Sequence, residues 1–468
     1  MAKERDKPIP TGRVRRTAKV GGLVGGQAAR SYATKAANLT RDEDGRRRAA
    51  ERRQLEAAEQ IVEVLGQMKG AAMKIGQVAS FIDMAGMPPE VSDRFQQKLA
   101  ELRDSAPKVP FKEMRKVIEA DLDEPLREAF AEFEEEPLAA ASIGQVYRAR
   151  LHDGRRVAVK VQYPGVATAV RADLQNLGLL LRAARRMAPG LDAKTVGSEI
   201  RERIGEELDY EHEAQAQRAI AREWRGHPFV AVPDVVTSMS RERVLVTEWV
   251  EGLGFEDVKR ATPAERDRFG EIVFRFFFGS LYRNGHFSGD PHPGNYLLLD
   301  DGRVAFLDFG LTKKVPMRHV EGEIGVIRAG LEGDAGALYG RLAELGFYDR
   351  DDPEVSADRL LEQMQLLQRW YADDREFTLT RDYLANLMLQ ASDPRSDYWD
   401  QMRRGTIPAD ALFARRMEAL TLGVLAQLGA TANWHRIMRE WLYGDPPATP
   451  LGREEADWLR GRPSRRAA

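Results

Sequence analysis

Asp290-Pro-His-Pro-Gly-Asn295, running on through Tyr296-Leu-Leu-Leu, Asp300-Asp301-Gly302, Arg303-Val-Ala-Phe-Leu and Asp308-Phe309-Gly310, is the stretch that decides the fold. Pro291 and Pro293 keep its first part out of a helix, so Asp290 stands on a loop. The apolar runs on either side of Asp301-Gly302 read as the strands of a hairpin. With Asp301-Gly302 as a two-residue turn, residue 300 faces 303, and the pairing carried back sets Asn295 opposite Asp308. A carboxamide and a carboxylate across from each other, about 5 Å apart at Cβ, suit oxygen ligation of Mg2+.

A loop Asp, a following Asn and an Asp ahead of Phe-Gly are the parts with which phosphoryl-transfer sites orient an acceptor and hold the metal ions that bridge ATP's phosphates. Asp-Phe-Gly alone carries little, because a turn after a buried strand often yields it; its weight comes from Asp290 and Asn295 at matching spacing. Asp290 is therefore expected to be catalytic, with Asn295 and Asp308 holding the metal.

Upstream, Arg156-Val-Ala-Val-Lys160-Val-Gln162 alternates, with the valines on one face and Ala158, Lys160 and Gln162 on the other. A lone strand lysine is ordinarily a solvated edge residue. Ahead of the Asp290 stretch, Lys160 matches the lysine that holds the α and β phosphates. Its acidic helix partner is sought in Glu206-Glu207-Leu-Asp209-Tyr-Glu211-His-Glu213. Asp209 and Glu213 lie one turn apart, an unfavourable like-charge pair unless cations sit nearby. Glu213 is assigned to Lys160.

The hydrophobic period organises the rest. Ile61, Leu65, Met68, Ala72 and Ile75 recur at helical spacing between Arg52 and about Phe81; Met87-Pro88-Pro89 stops the pattern, and helices follow over 91–102 and 111–120. At about Pro137 the period becomes two: Tyr147, Ala149 and Leu151 alternate, His152-Asp153-Gly154 turns the chain, and Val157, Val159 and Val161 alternate again. Helix is expected over 171–186 and 197–225, strand over 244–250, helix over 263–282, and helix throughout 321–442.

Ala139-Ala140-Ala141-Ser142-Ile-Gly144-Gln145-Val146 stands where a protein kinase carries its glycine-rich loop, and Lys74-Ile-Gly-Gln77 lies in the first helix. Together with Glu207-x-Asp209 these resemble the alanine-rich loop, the KxGQ motif and the ExD motif of the UbiB/AarF family of atypical kinases, over about residues 20 to 345. The resemblance implies an α+β, two-lobed protein-kinase-like fold. In that reading residues 1–50 are a basic segment and 51–125 a helical KxGQ extension; 126–252 are an N-lobe with inserted helices, 253–445 a helical C-lobe and 446–468 a tail. It implies ATP and Mg2+ as cofactors. Ala139, Ala140, Ala141, Ser142, Gly144, Gln145 and Lys160 would surround the nucleotide, with Glu248 and Val250 at a hinge beside adenine. Lys74 and Gln77 would fold over the acceptor cleft beside Glu207 and Asp209 as regulatory residues.

The implied activity is that of an atypical kinase-like ATPase or phosphotransferase serving isoprenoid-lipid or quinone metabolism at a membrane surface. Its expected partners are anionic lipids and a prenyl-lipid or phenolic small molecule, and no nucleic acid. Methyl groups on the alanine loop restrict close approach to phosphates, and only Leu311 to Val315 separate Asp308-Phe-Gly310 from Pro316, too short for a phosphorylated activation loop. Ser288 departs from the family, which usually has His two residues before the loop Asp, while His292 fits the pattern without a derivable role. Two other readings stay open. One is a small-molecule phosphotransferase of the aminoglycoside or choline kinase type, opposed by the KxGQ helix; the other is a nucleotide-binding pseudokinase scaffold, opposed by the intact set Lys160, Glu213, Asp290, Asn295 and Asp308.

The 468 residues are 43% hydrophobic and 31% charged with no cysteine, which excludes disulfides, thiolate metal sites and cysteine nucleophiles. No run of 18 apolar residues suggests a membrane-spanning helix. The basic start lacks the apolar core of a secretory signal, and a cytoplasmic protein, peripheral at the inner membrane face, is expected. Residues 1–53 hold 15 Lys and Arg against 6 Asp and Glu inside a chain of net charge −2. Such a segment seeks anionic surfaces. Deleting residues 1–50 should weaken sedimentation with anionic vesicles by about 1 kcal/mol per cation that reaches the surface, as should added salt. Equal binding by the truncated chain would move the membrane-facing surface elsewhere.

Overall fold

The computed structural model describes residues 109–141, 143–171, 205, 208–392 and 397–462. The basic segment, Lys74, Gln77, Ser142 and Glu207, the helices expected over 52–81 and 91–102, nearly all of that expected over 171–186 and the first part of that expected over 197–225 lie outside these residues. The chain divides into two compact units, residues 1–211 with 238–246, and 212–237 with 247–468.

Along the chain come helices α1 (Phe111–Leu122) and α2 (Leu126–Ala129) and strands β1 (Glu132–Phe133), β2 (Ala139–Ala140), β3 (Gly144–Arg150) and β4 (Arg156–Gln162). Then follow α3 (Tyr210–Glu223), β5 (Val230–Ala231), β6 (Val244–Glu248), α4 (Phe255–Val258), α5 (Pro263–Gly279), β7 (His286–Ser288), β8 (Tyr296–Leu298), β9 (Val304–Phe306) and β10 (Thr312–Lys314). The remainder is α6 (Met317–Glu332), α7 (Ala335–Glu344), α8 (Ala357–Ala372), β11 (Phe377–Thr378), α9 (Arg381–Ser392), α10 (Asp397–Arg404), α11 (Ala409–Leu428), β12 (Thr431–Ala432), α12 (Trp434–Leu442) and α13 (Pro450–Arg460).

The first unit is built on a sheet ordered β1-β3-β4-β6, with β2 also paired to β3. The expected hairpin is present, pairing Gly144 with Gln162 through to Arg150 with Arg156. Val157, Val159 and Val161 are fully buried, as their alternation requires. On the same face Tyr147 packs its ring 5.6 Å from Phe111 and 5.4 Å from Phe133, and burial pushes its phenol up to about 12. Gly144 has a packing reason: a Cβ there would stand 2.1 Å from the Val161 carbonyl oxygen.

In the second unit α5 is the axis of the core. Thr262 and Glu265 form a reciprocal capping box and Pro263 opens the first turn, so the helix start is set locally. Farther along, Phe276 stacks on Phe306 of β9 with centroids 3.7 Å apart, and Phe277 meets Tyr296 of β8 edge-on. Those strands form a sheet ordered β5-β9-β8, in which β5 runs parallel to β9.

The β8–β9 hairpin has a register one residue different from that expected. Tyr296 pairs with Phe306 and Leu298 with Val304, and the Leu299 amide reaches the Arg303 carbonyl. The turn therefore holds Asp300, Asp301 and Gly302, not two residues. Gly302 takes the left-handed conformation, φ +81°, which closes this three-residue loop at no steric cost. Asn295 consequently meets Leu307, whose amide donates to its carbonyl at 3.0 Å, and does not pair with Asp308.

Two further departures follow from short elements. The stretch expected to be helical throughout holds β11, which pairs with β12 in a ribbon of two residues a side, too short to leave a periodic signal. The span read as a tail contains α13, capped by Thr449, with Glu455 buried. Fully buried Arg275 reaches Glu271 at 2.7 Å, Glu440 at 2.8 Å and Glu455 at 3.0 Å, and Arg283 adds a second cation on Glu455. This cluster ties α5 to α12 and α13.

The arginines hold the Glu455 carboxyl well below its ordinary range despite burial. Burial also depresses His227, whose Nε2 lies 3.5 Å from Glu455. Both groups bind fewer protons when folded than when unfolded, so stability is full above their ordinary values and is lost progressively as pH falls from those through the lowered folded ones. Urea midpoints should drop from about pH 7 to about pH 4. Arg275→Met should cost about 3–5 kcal/mol by stranding buried carboxylates. A midpoint flat over that range, or an Arg275→Met chain as stable as the parent, would contradict the cluster's role.

Candidate active site

Two ladders set the chemistry-bearing loops of the second unit side by side. β7 pairs with β10, His286 with Lys314 and Ser288 with Thr312, and the Gly289 amide extends the ladder to the Leu311 carbonyl at 2.6 Å. The chain thus leaves β7 for Asp290 directly beside the turn that follows Asp308. Residues after Gly310 are taken up by β10, and Pro316 then starts α6.

Asp290 is the hub of a tight loop. Its carbonyl accepts the His292 amide at 2.8 Å and the Asn295 side-chain amide at 3.3 Å, while its own amide donates to Ser288 Oγ at 3.4 Å. His292 has a structural role, since its Nδ1 accepts the Gly294 amide at 3.0 Å and caps the short turn Pro293–Asn295. His286, near the position where the family carries its histidine, bonds Glu223 of α3 at 3.1 Å.

A residue that the sequence pattern did not single out completes the loop's surroundings. Arg416 of α11 donates through Nη1 to the Gly289 carbonyl, and its Nη2 lies 3.5 Å from Asp290 Oδ1. Burial pushes its guanidinium below the ordinary range, with Asp290 opposing that shift. The available signal was Arg415-Arg416 inside the apolar run from Ala411 to Leu420: neighbours on a helix point about 100° apart, so two consecutive cations in a buried helix cannot both reach water.

Asp308 is held by the Gly310 amide, which donates to Oδ1 at 3.0 Å, and Phe309 is fully buried. A Cβ on Gly310 would stand 3.4 Å from both Asp308 Oδ1 and Glu213 Oε2, so the two carboxylates border the same glycine. Glu213 is 3% exposed. Two carboxylates converging in a poorly hydrated place favour a cation between or beside them. The donor set fits Mg2+: the Asn295 amide nitrogen is engaged by the Asp290 carbonyl, which turns its oxygen away from that contact, and Asp308 adds a carboxylate, both hard ligands.

In the first unit Lys160 lies on the face opposite the buried valines, its ammonium 5.0 Å from the centre of the Tyr210 ring. Tyr210 is placed by its amide on the Glu242 carbonyl, and Gln162 donates to the Leu208 carbonyl at 2.8 Å. Asp209 accepts the Glu211 amide at 2.9 Å, closing the entry to α3. Ala139 and Ala140 are exposed on β2, and Ala141 donates to the Gly144 carbonyl across the turn. Gln145, expected to meet nucleotide, is 3% exposed: strand alternation sets it on the inner face with Tyr147, whose hydroxyl donates to its side-chain oxygen at 2.6 Å. In the second unit Glu248 exchanges backbone and side-chain bonds with Asp234, and Val250 is half-buried beyond it.

A two-lobed α+β kinase-like fold, with a short proline-braced Asp loop clamped to an Asp-Phe-Gly turn, defines the class. Residues 101–339 match the ABC1 atypical kinase-like domain, and the chain belongs to this family, the UbiB/AarF group of atypical kinases. It is 30% identical over 367 residues to the atypical kinase COQ8B, mitochondrial, of Rattus norvegicus, covering 78% of this chain and 69% of that one. With the atypical kinase coq-8, mitochondrial, of Caenorhabditis elegans it shares 29% identity over 413 residues, 83% of this chain and 52% of the relative. The chain thus spans between about half and about two thirds of these relatives' length. A solved structure, the complex of Rv3197 with erythromycin from Mycobacterium tuberculosis, is similar with a TM-score of 0.61 and 33% identity, over 82% of this chain and 95% of that one. Among the described residues no helix is long and apolar enough to cross a membrane.

Asp308→Asn should abolish Mg2+-dependent nucleotide binding and leave the melting temperature within a few degrees of the parent, since Asn can still accept the Gly310 amide. Unchanged Mg-ATP affinity in that variant would remove Asp308 from the metal site.

Proposed function

We propose that this chain binds Mg-ATP and hydrolyses or transfers its γ-phosphate as an atypical kinase-like enzyme, serving isoprenoid-lipid or quinone metabolism at a membrane surface. One observation carries the reading: the clamped pair of loops in which Asp290, Asn295 and Asp308 are each fixed by backbone hydrogen bonds. When bound, Mg2+ would neutralise charge on the phosphates. Asn295 and Asp308 would hold it, Asp290 would orient the attacking hydroxyl or water, and by the family resemblance Lys160 and Glu213 are the residues assigned to the α and β phosphates. Ala139 to Ala141 line the phosphates with methyl groups, and Glu248 and Val250 meet adenine. By the family resemblance alone, Lys74, Gln77, Glu207 and Asp209 are regulatory residues that turn the site away from protein substrates. Names of the curated relatives support the kinase-like part; the lipid or quinone client rests on the family resemblance and the basic N-terminal segment.

A second reading has its own observation, the likeness to Rv3197, whose structure was solved with erythromycin. In it, a bulky amphipathic small molecule modulates this chain's ATP turnover.

One experiment separates them: ATP hydrolysis by the full chain alone, with anionic vesicles, with a phenolic lipid mimic, and with erythromycin. The first reading expects Mg2+-dependent turnover raised several-fold by vesicles or the phenol and lost in Asp290→Asn, by the roughly 10²-fold or more typical of an acid–base residue. Stimulation by erythromycin alone favours the second. No Mg2+-dependent turnover under any condition would falsify the enzymatic reading.

A further inference from the structure

Arg416 is a cation placed where cations are expensive. Its side chain is 6% exposed, and a guanidinium out of water needs acceptors in good geometry. Two of its contacts fall on consecutive residues of one loop, the carbonyl of Gly289 and the carboxylate of Asp290. Its neighbour Arg415 turns the other way, to Glu323 and Glu418. Ser288, just ahead in the loop, gives slighter support, its Oγ accepting the Asp290 amide at 3.4 Å. A Cβ on Gly289 would stand 3.3 Å from the Phe413 ring, one helical turn before Arg416, so a side chain there would press that ring aside by a few tenths of an ångström.

We infer that Arg416 is the positioning residue of the Asp290 loop, its planar fork gripping the Gly289 peptide and the Asp290 carboxylate so that the carboxylate is aimed before substrate arrives. This rests on the reading of Asp290 as the acceptor-orienting group. Arg suits this role where Lys would not, because one rigid group reaches a carbonyl and a carboxylate together. Arg416 acts through Asp290 and is distinct from the residues proposed to touch ATP.

The test uses the full chain, its Arg416→Lys and Arg416→Gln variants, and three readouts: Mg-ATP affinity, nucleotide bound per chain, and kcat. Displacing a catalytic group by about 1 Å costs up to about 10²-fold in rate. Arg416→Lys, which keeps the charge and loses the fork, should lower kcat about tenfold, and Arg416→Gln about a hundredfold. Affinity and bound nucleotide per chain should stay within about twofold of the parent in Arg416→Lys, because the lost fork acts on Gly289 and Asp290 while metal holding is given to Asn295 and Asp308. If Arg416→Gln fails to fold, Arg416→Lys alone decides. A kcat of Arg416→Lys equal to the parent's, or one that falls only in step with bound nucleotide per chain, overturns the inference and leaves Arg416 a packing residue. A parent that binds no Mg-ATP overturns the functional reading, and this inference with it.

Discussion

The Gly289 amide donates to the Leu311 carbonyl, and much of the second unit exists to make that short ladder possible. The bond joins the strand that delivers Asp290 to the strand that follows Asp308-Phe-Gly310, so two loops separated by the whole β8–β9 hairpin are held side by side. Between those loops, α5 packs Phe276 and Phe277 against Phe306 and Tyr296 and so fixes the hairpin. A stacked pair of rings buried on a helix with a reciprocal N-terminal cap is a stiff platform. The proposed phosphoryl transfer relies chiefly on positioned charges, and stiffness is the property it would need most.

How the second unit treats buried charge follows from the same requirement. Arg275, Glu271, Glu440 and Glu455 form a saturated cluster that joins α5 to the last two helices. Replacing such a cluster with apolar residues can be neutral or stabilising, so its retention is weak evidence for stability as such. What it supplies is specificity. Arg275 and Arg283 converge on Glu455 of α13, so the pairing sets how that helix docks on α5.

Sequence reached the local features and missed those that depend on distant partners. Alternating valines, the turn at His152-Asp153-Gly154, the proline-braced loop and the helix behind Thr262-Pro263 are written in short-range patterns, and all are found where expected. The hairpin register slipped by one because the choice between a two- and a three-residue turn hangs on the φ of Gly302, which composition does not reveal. The motif likeness likewise leaves out strand parity, which puts Gln145 beside Tyr147 in the interior. Arg416 escaped because its partners at 289 and 290 lie more than a hundred residues away in the chain.

Helix α11 shows how those distant contacts combine. Arg416 grips the Asp290 loop on one side, while Arg415 bridges Glu323 of α6 and Glu418 within α11 itself. Glu418, pushed up by burial, also accepts the Tyr282 hydroxyl at 2.9 Å. Tyr282 belongs to a π-helical turn, Ser280–Asn284, that passes the chain from α5 into β7. Such turns are uncommon and gather at functional sites, because the extra residue re-aims whatever follows. The strand leading to Asp290 is therefore aimed by the π turn before it and gripped by Arg416 beside it, with α11 providing both anchors. A helix far along the chain thus sets the geometry of a loop whose own sequence specifies its residues but not their aim.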